Sequence, residues 1–338
     1  MQLISADKRI LVIGSLNANP ADRAISRDNI RSMQVIDENQ QILPLNYFNS
    51  WGELGMSSLC WHETDPYTIY LASSNELFKF YLKENRYEKL DIPNLTDIHE
   101  ITMIGNKVWI SNTKHDEIVS YDIEANKIGE RINLTDFKSN SPEEGEGDED
   151  VEVVDKFHCN LVFEGYEGDL YILVHHTSGR QLMKRIAQKF IKSQGNGGVV
   201  NIIKRKRHPL NFKAPHSVRK INNQYWVFDS GHFELKIFDK NWNYLRTMDT
   251  KGFGRGGDLD TNRNIYYAGV SETRKRYLGL FPGGEAVPNM VQVFAVGEYK
   301  LLGSIKIPNI EQINNVYCMQ KDVVDLLFKP SFSTAEVV

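Results

Sequence analysis

The sequence predicts an all-β protein, a six-bladed β-propeller whose C-terminal strand completes the first blade. Three observations predict it: a strand–turn–strand unit that recurs in register, room for four strands in each unit, and strand-like fragments without partners at both ends.

The recurring unit is Ile69–Ser74 followed by Leu77–Tyr81, Val108–Thr113 followed by Ile118–Asp122, and Tyr225–Ser230 followed by Leu235–Asp239. Trp109 and Tyr121 are twelve residues apart, as are Trp226 and Phe238. Equal spacing of this kind is a shared register rather than a shared composition. Each pair is rich in β-branched and aromatic residues around a turn of Ser, Asn, Asp or Gly, which is the make-up of two antiparallel strands. A shorter segment precedes each pair and a fourth strand follows, such as Ile128–Leu134 or Tyr244–Met248. Four strands in roughly 40 to 60 residues is the size of one blade.

Five units fall at 52–92, 93–135, 155–206, 208–250 and 252–308. The N-terminal fragment adds strands at Arg9–Ser15, Arg31–Asp37 and Ile42–Phe48, and Ile310–Met319 reads as an innermost strand in need of partners. Pairing the termini makes the sixth blade and removes the open sheet edges. One propeller domain therefore spans 1–320, and 321–338 is a tail with a helix-like piece at Val323–Phe328 and a frayed end. An acidic loop lies at 138–154, with a run of Glu and Asp over 143–152 that is expected to be solvated. Leu182–Lys192 has helix-like content and reads as an elaborated outer edge of the 155–206 unit, and Lys204–Arg207 reads as a solvated edge strand.

Composition narrows the class. Of 338 residues, 41% are hydrophobic and 25% charged, as in a soluble chain with a large core. The formal net charge of −4 argues against a dedicated nucleic-acid binder. Met1–Asn17 lacks the pattern of a signal peptide, and no apolar run of about 18 residues is present to span a membrane. Cys60, Cys159 and Cys318 are odd in number and lie in strand-like runs, so they read as buried thiols and the expected compartment is the cytoplasm. The Gly252–Gly257 and Leu280–Gly284 segments do not sit between a strand and a helix, and no G-x-S-x-G elbow occurs.

In a propeller the inner strands start on one face, where the turns between second and third strands also lie. The predicted starts bring His99, His158 and His216 from three successive blades to that face, ten residues before Trp109 and Trp226 and thirteen before Tyr171. Three neutral imidazoles at a channel mouth suit a divalent transition metal, zinc or iron above all, with Glu100 as a fourth ligand or a base. Two other readings stay open: each histidine ties its strand to the next blade, or the three line a ligand pocket without metal. Arg219 and Arg255 are then the groups that hold an anion by forked hydrogen bonds, with Asn160 and Gln312 beside them. His115, His176 and His232 fall in turns on the same face, further from the axis, as rim or exposed residues. His62 and His208 have no counterpart in the repeat.

The order of these motifs, Asp97–Glu100, His158–Asn160, Pro215–Arg219, Val227–Gly231, Arg255–Gly256 and Ile310–Ile313, resembles an uncharacterised bacterial propeller family with a P-H-S-P-R-type motif. More loosely it is similar to the NHL, gluconolactonase and strictosidine-synthase-like propellers. His99, His158, Asn160, His216, Arg219, Arg255 and Glu311 match the family pattern. Glu100, Leu161, Val218, Gln312 and Asn315 depart from it, where the family has Asp, Gly, Pro, Glu and Asp. The resemblance implies the fold and the functional face and names no reaction. Gluconolactonase-like relatives hold a divalent ion with Glu, Asn and Asp, a different ligand set.

Two functions are therefore expected. One is a metal-dependent enzyme, of hydrolase, lyase or oxygenase type, acting on a small polar or anionic molecule at the channel mouth. The other is a non-catalytic propeller that uses the same face to bind a ligand or a protein partner. Neither involves nucleic acid or a membrane.

Overall fold

Alternation along each strand builds the ring. In the strand Lys8–Ser15, Ile10 and Val12 enter one apolar cluster while Leu11 and Ile13 enter another, because successive side chains of a strand point to opposite faces. The computed structural model describes residues 2–137, 156–177, 195–272 and 287–334, and six such clusters lie in it, each between two consecutive sheets. The six antiparallel sheets are the blades of the expected six-bladed propeller.

Blade 1 is made from both ends of the chain. Its innermost strand, Gln312–Gln320, pairs antiparallel with Lys8–Ser15 from Lys8 opposite Gln320 to Ser15 opposite Gln312, and Met33–Ile36 and Ile42–Pro44 complete it. The inner strands of blades 2 to 6 are Met56–His62, Ile98–Ile104, Cys159–Glu164, Pro215–Ile221 and Phe253–Asp260. Blade 4 runs further than expected: Lys204 and Arg205 form the turn into its outer strand Lys206–Phe212, so the unit ends at 212 and not 206.

After Gln320 the chain forms a short helix, Lys321–Asp325, and then adds Ser333–Thr334 in parallel to Arg86 and Tyr87 of blade 2. Val323, Val324, Leu327 and Phe332 are buried in the cluster between blades 1 and 2. This part of the tail is integral to the core, because its apolar side chains cover the end of that cluster. The acidic loop, Leu182–Lys192 and the Leu280–Gly284 segment lie outside the described residues. Cys60, Cys159 and Cys318 are buried free thiols, and burial pushes Cys60 and Cys318 up. No helix among the described residues is long and apolar enough to cross a membrane.

Candidate functional site

Every inner strand carries a β-bulge near its start. The register slips by one at Ser57, Glu100, Asn160, Ser217, Arg255 and Asn314, one residue from each blade. A bulge leaves its extra residue out of the ladder and re-aims its side chain. Here the six extra residues form a polar collar, and all six line a cavity of about 100 Å3 at the mouth of the channel. Asn160 and Ser217 each bury a side-chain oxygen, Oδ1 and Oγ, with no hydrogen-bond partner, and buried polar atoms of that kind call for a ligand or water.

His99 and His216 stand one residue before the bulge in blades 3 and 5 and are held identically. Nδ1 of His99 donates to the Asp97 carbonyl at 3.1 Å and meets Thr113 Oγ1 at 3.2 Å. Nδ1 of His216 donates to the Ala214 carbonyl at 3.0 Å and meets Ser230 Oγ at 3.0 Å. A carbonyl only accepts, so the proton is assigned to Nδ1 in both rings, and Nε2 keeps its lone pair. Thr113 and Ser230 in turn donate to the Cys159 and Gly254 carbonyls of the next blade. The hydroxyl thus ties the blades together and fixes the imidazole at once.

The bulge register corrects the expected alignment at blade 4. Cys159 pairs with Val174 and Leu161 with Leu173, so Cys159, not His158, occupies the position of His99 and His216. His158 lies one residue earlier at φ 50°, in a turn whose backbone N–H groups, from Lys156 to His158, donate to the Asp116 carboxylate. From there its ring still reaches the mouth, with its centroid 5.0 Å from that of His99. His175, and not His176, completes the group: its centroid is 4.2 Å from His158 and 5.5 Å from His216, and His99 and His216 are 6.2 Å apart. His175 Nε2 is buried without a hydrogen-bond partner. His176 bonds Asn196 Oδ1 at 2.5 Å through Nδ1.

Burial, reinforced by the neighbouring imidazoles, lowers His99 to about 4 against the pull of Asp97 and holds His175 and His216 well below the usual histidine value, with Arg255 adding to the effect at His99 and His216. These three rings are neutral at physiological pH, the form that ligates metal. As the rings stand, their ligand atoms are not gathered within 4.8 Å; among the described residues the set that is so gathered is Asp229, His232 and Glu234. In that set Asp229 already takes His232 at 2.7 Å and Lys236 at 2.6 Å.

At the inner edge of the collar Glu100 meets Arg219, and the pair closes the channel. Nη2 of Arg219 reaches Glu100 Oε1 at 2.7 Å and Asn315 Oδ1 at 3.3 Å, Nε donates to the Gly257 carbonyl at 2.6 Å, and Nη1 to the Val218 carbonyl at 3.0 Å. Asn315 Nδ2 also donates to Glu100 Oε1 at 2.9 Å. Burial works against the Arg219 charge, and Glu100, with Tyr266, Asp258 and Tyr317 behind it, more than offsets it, so the guanidinium is held above its ordinary value. The donors of Arg219 are thus committed inside the protein. Arg255, in the collar, donates to Asn314 at 3.0 Å.

The remaining predicted residues fall around this centre. Asn160 Nδ2 donates to the Pro215 carbonyl at 2.5 Å, and Gln312 donates to Asn17. Glu311 accepts from the backbone N–H groups of Asn17 at 2.6 Å, Ala24 and Ile25 at 2.8 Å, so it anchors the N-terminal segment beside the mouth. His115 is exposed on a turn, and His232 pairs with Asp229. Ser217, Asn314, Ser57 and His175 belong to the site and were not predicted. The first three announce themselves only through the bulge; His175 could have been found from the His–His pair in its turn.

No family model matches the sequence, and no curated protein matches it. Among solved structures the chain is similar to a protein of unknown function from Bacteroides caccae, with TM-score 0.55 and 10% identity over 93% of this chain and 100% of that one. It is also similar to a chain of the nidogen/laminin complex, with TM-score 0.53 and 9% identity over 92% and 98%. Virginiamycin B lyase from Staphylococcus aureus aligns at TM-score 0.46 and 12% identity over 75% and 70%. Likeness at this identity shows the fold alone. The class defined is a six-bladed β-propeller, and its distinguishing feature is a polar collar under four imidazoles.

Proposed function

We propose that the channel mouth holds a divalent transition metal, zinc or iron, and is the active site of an enzyme acting on a small polar or anionic molecule. The ligands are His99, His216 and His175, with His158 beside them. The observation that carries this reading is the matched anchoring of His99 and His216, each with Nδ1 spent on a backbone carbonyl and Nε2 left with its lone pair. Metal-ligating histidines are oriented in this way. Two imidazoles sharing a metal with bonds of about 2 Å have ring centres roughly 5 Å apart, and the neighbouring rings here are 4.2 to 6.2 Å apart.

A bound metal supplies Lewis acidity and a water that ionises near neutral pH. The chain's own groups do the rest. Arg255 orients an anionic oxygen, while Asn160, Ser217 and Gln312 offer polar contacts on the wall. Glu100 uses Oε1 for Arg219 and Asn315, which leaves Oε2 to move a proton at the collar. Arg219 serves as a positioning residue for Glu100.

Metal analysis of protein purified without chelator, alongside His99→Ala, His175→Ala and His216→Ala, tests the proposal. About one ion per chain is expected in the parent and less than a tenth of that in the variants. Trace metal in all four proteins overturns it. The spread of the ligand atoms in the structure favours a second reading, a metal-free pocket whose buried Asn160 and Ser217 oxygens bind a polar ligand. Under that reading the protein carries no metal, and calorimetry detects small polar molecules that bind the parent and fail to bind Asn160→Ala.

A further inference from the structure

A chamber of about 620 Å3 occupies the channel on the other side of the Glu100–Arg219–Asn315 partition. Glu100 is the one residue that lines both this chamber and the histidine-bearing mouth. Small-molecule sites have volumes of roughly 300–1,000 Å3 and apolar walls with a few polar groups. The chamber has a volume in that range, and its wall is mixed, with Trp61, Met103, Leu161, Phe163, Val218 and Tyr317 set among charged side chains. Trp61 and Tyr317 make an edge-on contact at 6.1 Å, so the wall is partly aromatic.

The sign of its charge follows from the ion pairs. Glu100 is taken by Arg219 at 2.7 Å, and Glu164 faces Lys220 at 3.6 Å. Asp258 and Glu63 also line the chamber, and neither makes an ion pair among the described residues. Asp258 accepts one backbone N–H on each oxygen, from Leu259 and Cys318, both at 2.9 Å. Each oxygen therefore keeps a lone pair for a further donor. Burial pushes Asp258 up against the pull of Arg219, a cost that a cation arriving in the chamber would relieve.

We propose that this chamber binds an organic cation with an aromatic or branched apolar body, its ammonium on Asp258 and its body against the apolar wall. The site is separate from the mouth and does not depend on a metal there. Aromatic walls favour a cation further, through the negative faces of their rings.

Calorimetric titration with tryptamine and with indole-3-propionate, which share a ring system and differ in the sign of the head group, is the test. Tryptamine binds and indole-3-propionate does not. Asp258→Asn lowers tryptamine affinity by at least about tenfold, as expected for one charge-assisted contact. Thr102→Lys places an ammonium in the chamber without touching the backbone bonds of Asp258, and it abolishes binding even if Asp258→Asn does not fold. Zinc added beforehand leaves the tryptamine isotherm unchanged. Absence of tryptamine binding, equal binding of the two probes, or affinity that survives both substitutions overturns the proposal, and competition by zinc overturns the separateness of the sites.

Discussion

The two ends of the channel are built from the same six inner strands and differ in character. At the mouth each strand carries a bulge, and the extra residues are Ser57, Glu100, Asn160, Ser217, Arg255 and Asn314. Beyond the bulges the pairing is regular, except at Trp61–His62, and the wall mixes apolar side chains with charged ones. Regularly paired Arg219 and Asn315 also reach the channel, whereas at the mouth each strand adds one polar residue by breaking its ladder. The polar mouth thus lies in the irregular part of an otherwise repetitive fold.

The largest effect should come from removing the partition between the two ends. Glu100→Ala leaves the Arg219 guanidinium buried without its carboxylate, which costs about 3–5 kcal/mol. Urea denaturation reads this directly. Replacing both residues by apolar ones recovers most of the loss. A cost below about 1 kcal/mol for the single change would mean that the pair does not close the channel.

Acid should separate the two ends by sign. His99, His175 and His216 are held below their ordinary value of 6.5 when folded, so the unfolded chain binds more protons between that value and the folded one. Stability is therefore lost as pH falls from about 6.5 towards about 4. Asp258 is shifted upward from 3.8, so the folded state binds the extra proton, and its contribution declines as pH rises above that value. Thermal unfolding of His216→Ala should show a flatter acid limb than the parent. An unchanged limb would show that His216 is not desolvated.

A smaller effect is expected at the hydroxyl that serves both blade contact and histidine. Ser230→Ala removes a bond to the Gly254 carbonyl and one to His216 Nδ1, costing about 1 kcal/mol of stability. The same change should weaken metal binding by about 10–100-fold, the usual effect of losing an outer partner of a ligand. Equal metal affinity in parent and variant would leave Ser230 as a blade contact alone.

How much was legible in the sequence divides along the same line. Blade repeats and closure by Gln312–Gln320 were readable, because alternation and aromatic spacing are what the apolar clusters demand. The face bearing His99 and His216 was readable for the same reason. The bulges were not, since an extra residue in a strand leaves no periodic trace, and without the bulge register His158 and Cys159 cannot be told apart as the counterpart of His99 and His216. The partner of Arg219, Glu100, lies 119 residues away in sequence, a contact that no local spacing reveals. The turn pair His175–His176 does not show in sequence which ring meets His158 and which bonds Asn196, because that is set by the fold around the turn.

Anomalous X-ray diffraction from zinc-soaked crystals tests the central claim most directly. A single strong peak is expected at the mouth, about 2 Å from the Nε2 atoms of His99 and His216, with His175 or His158 as a further ligand. An empty mouth with a peak instead at Asp229, His232 and Glu234, or with no ordered peak at all, would contradict it.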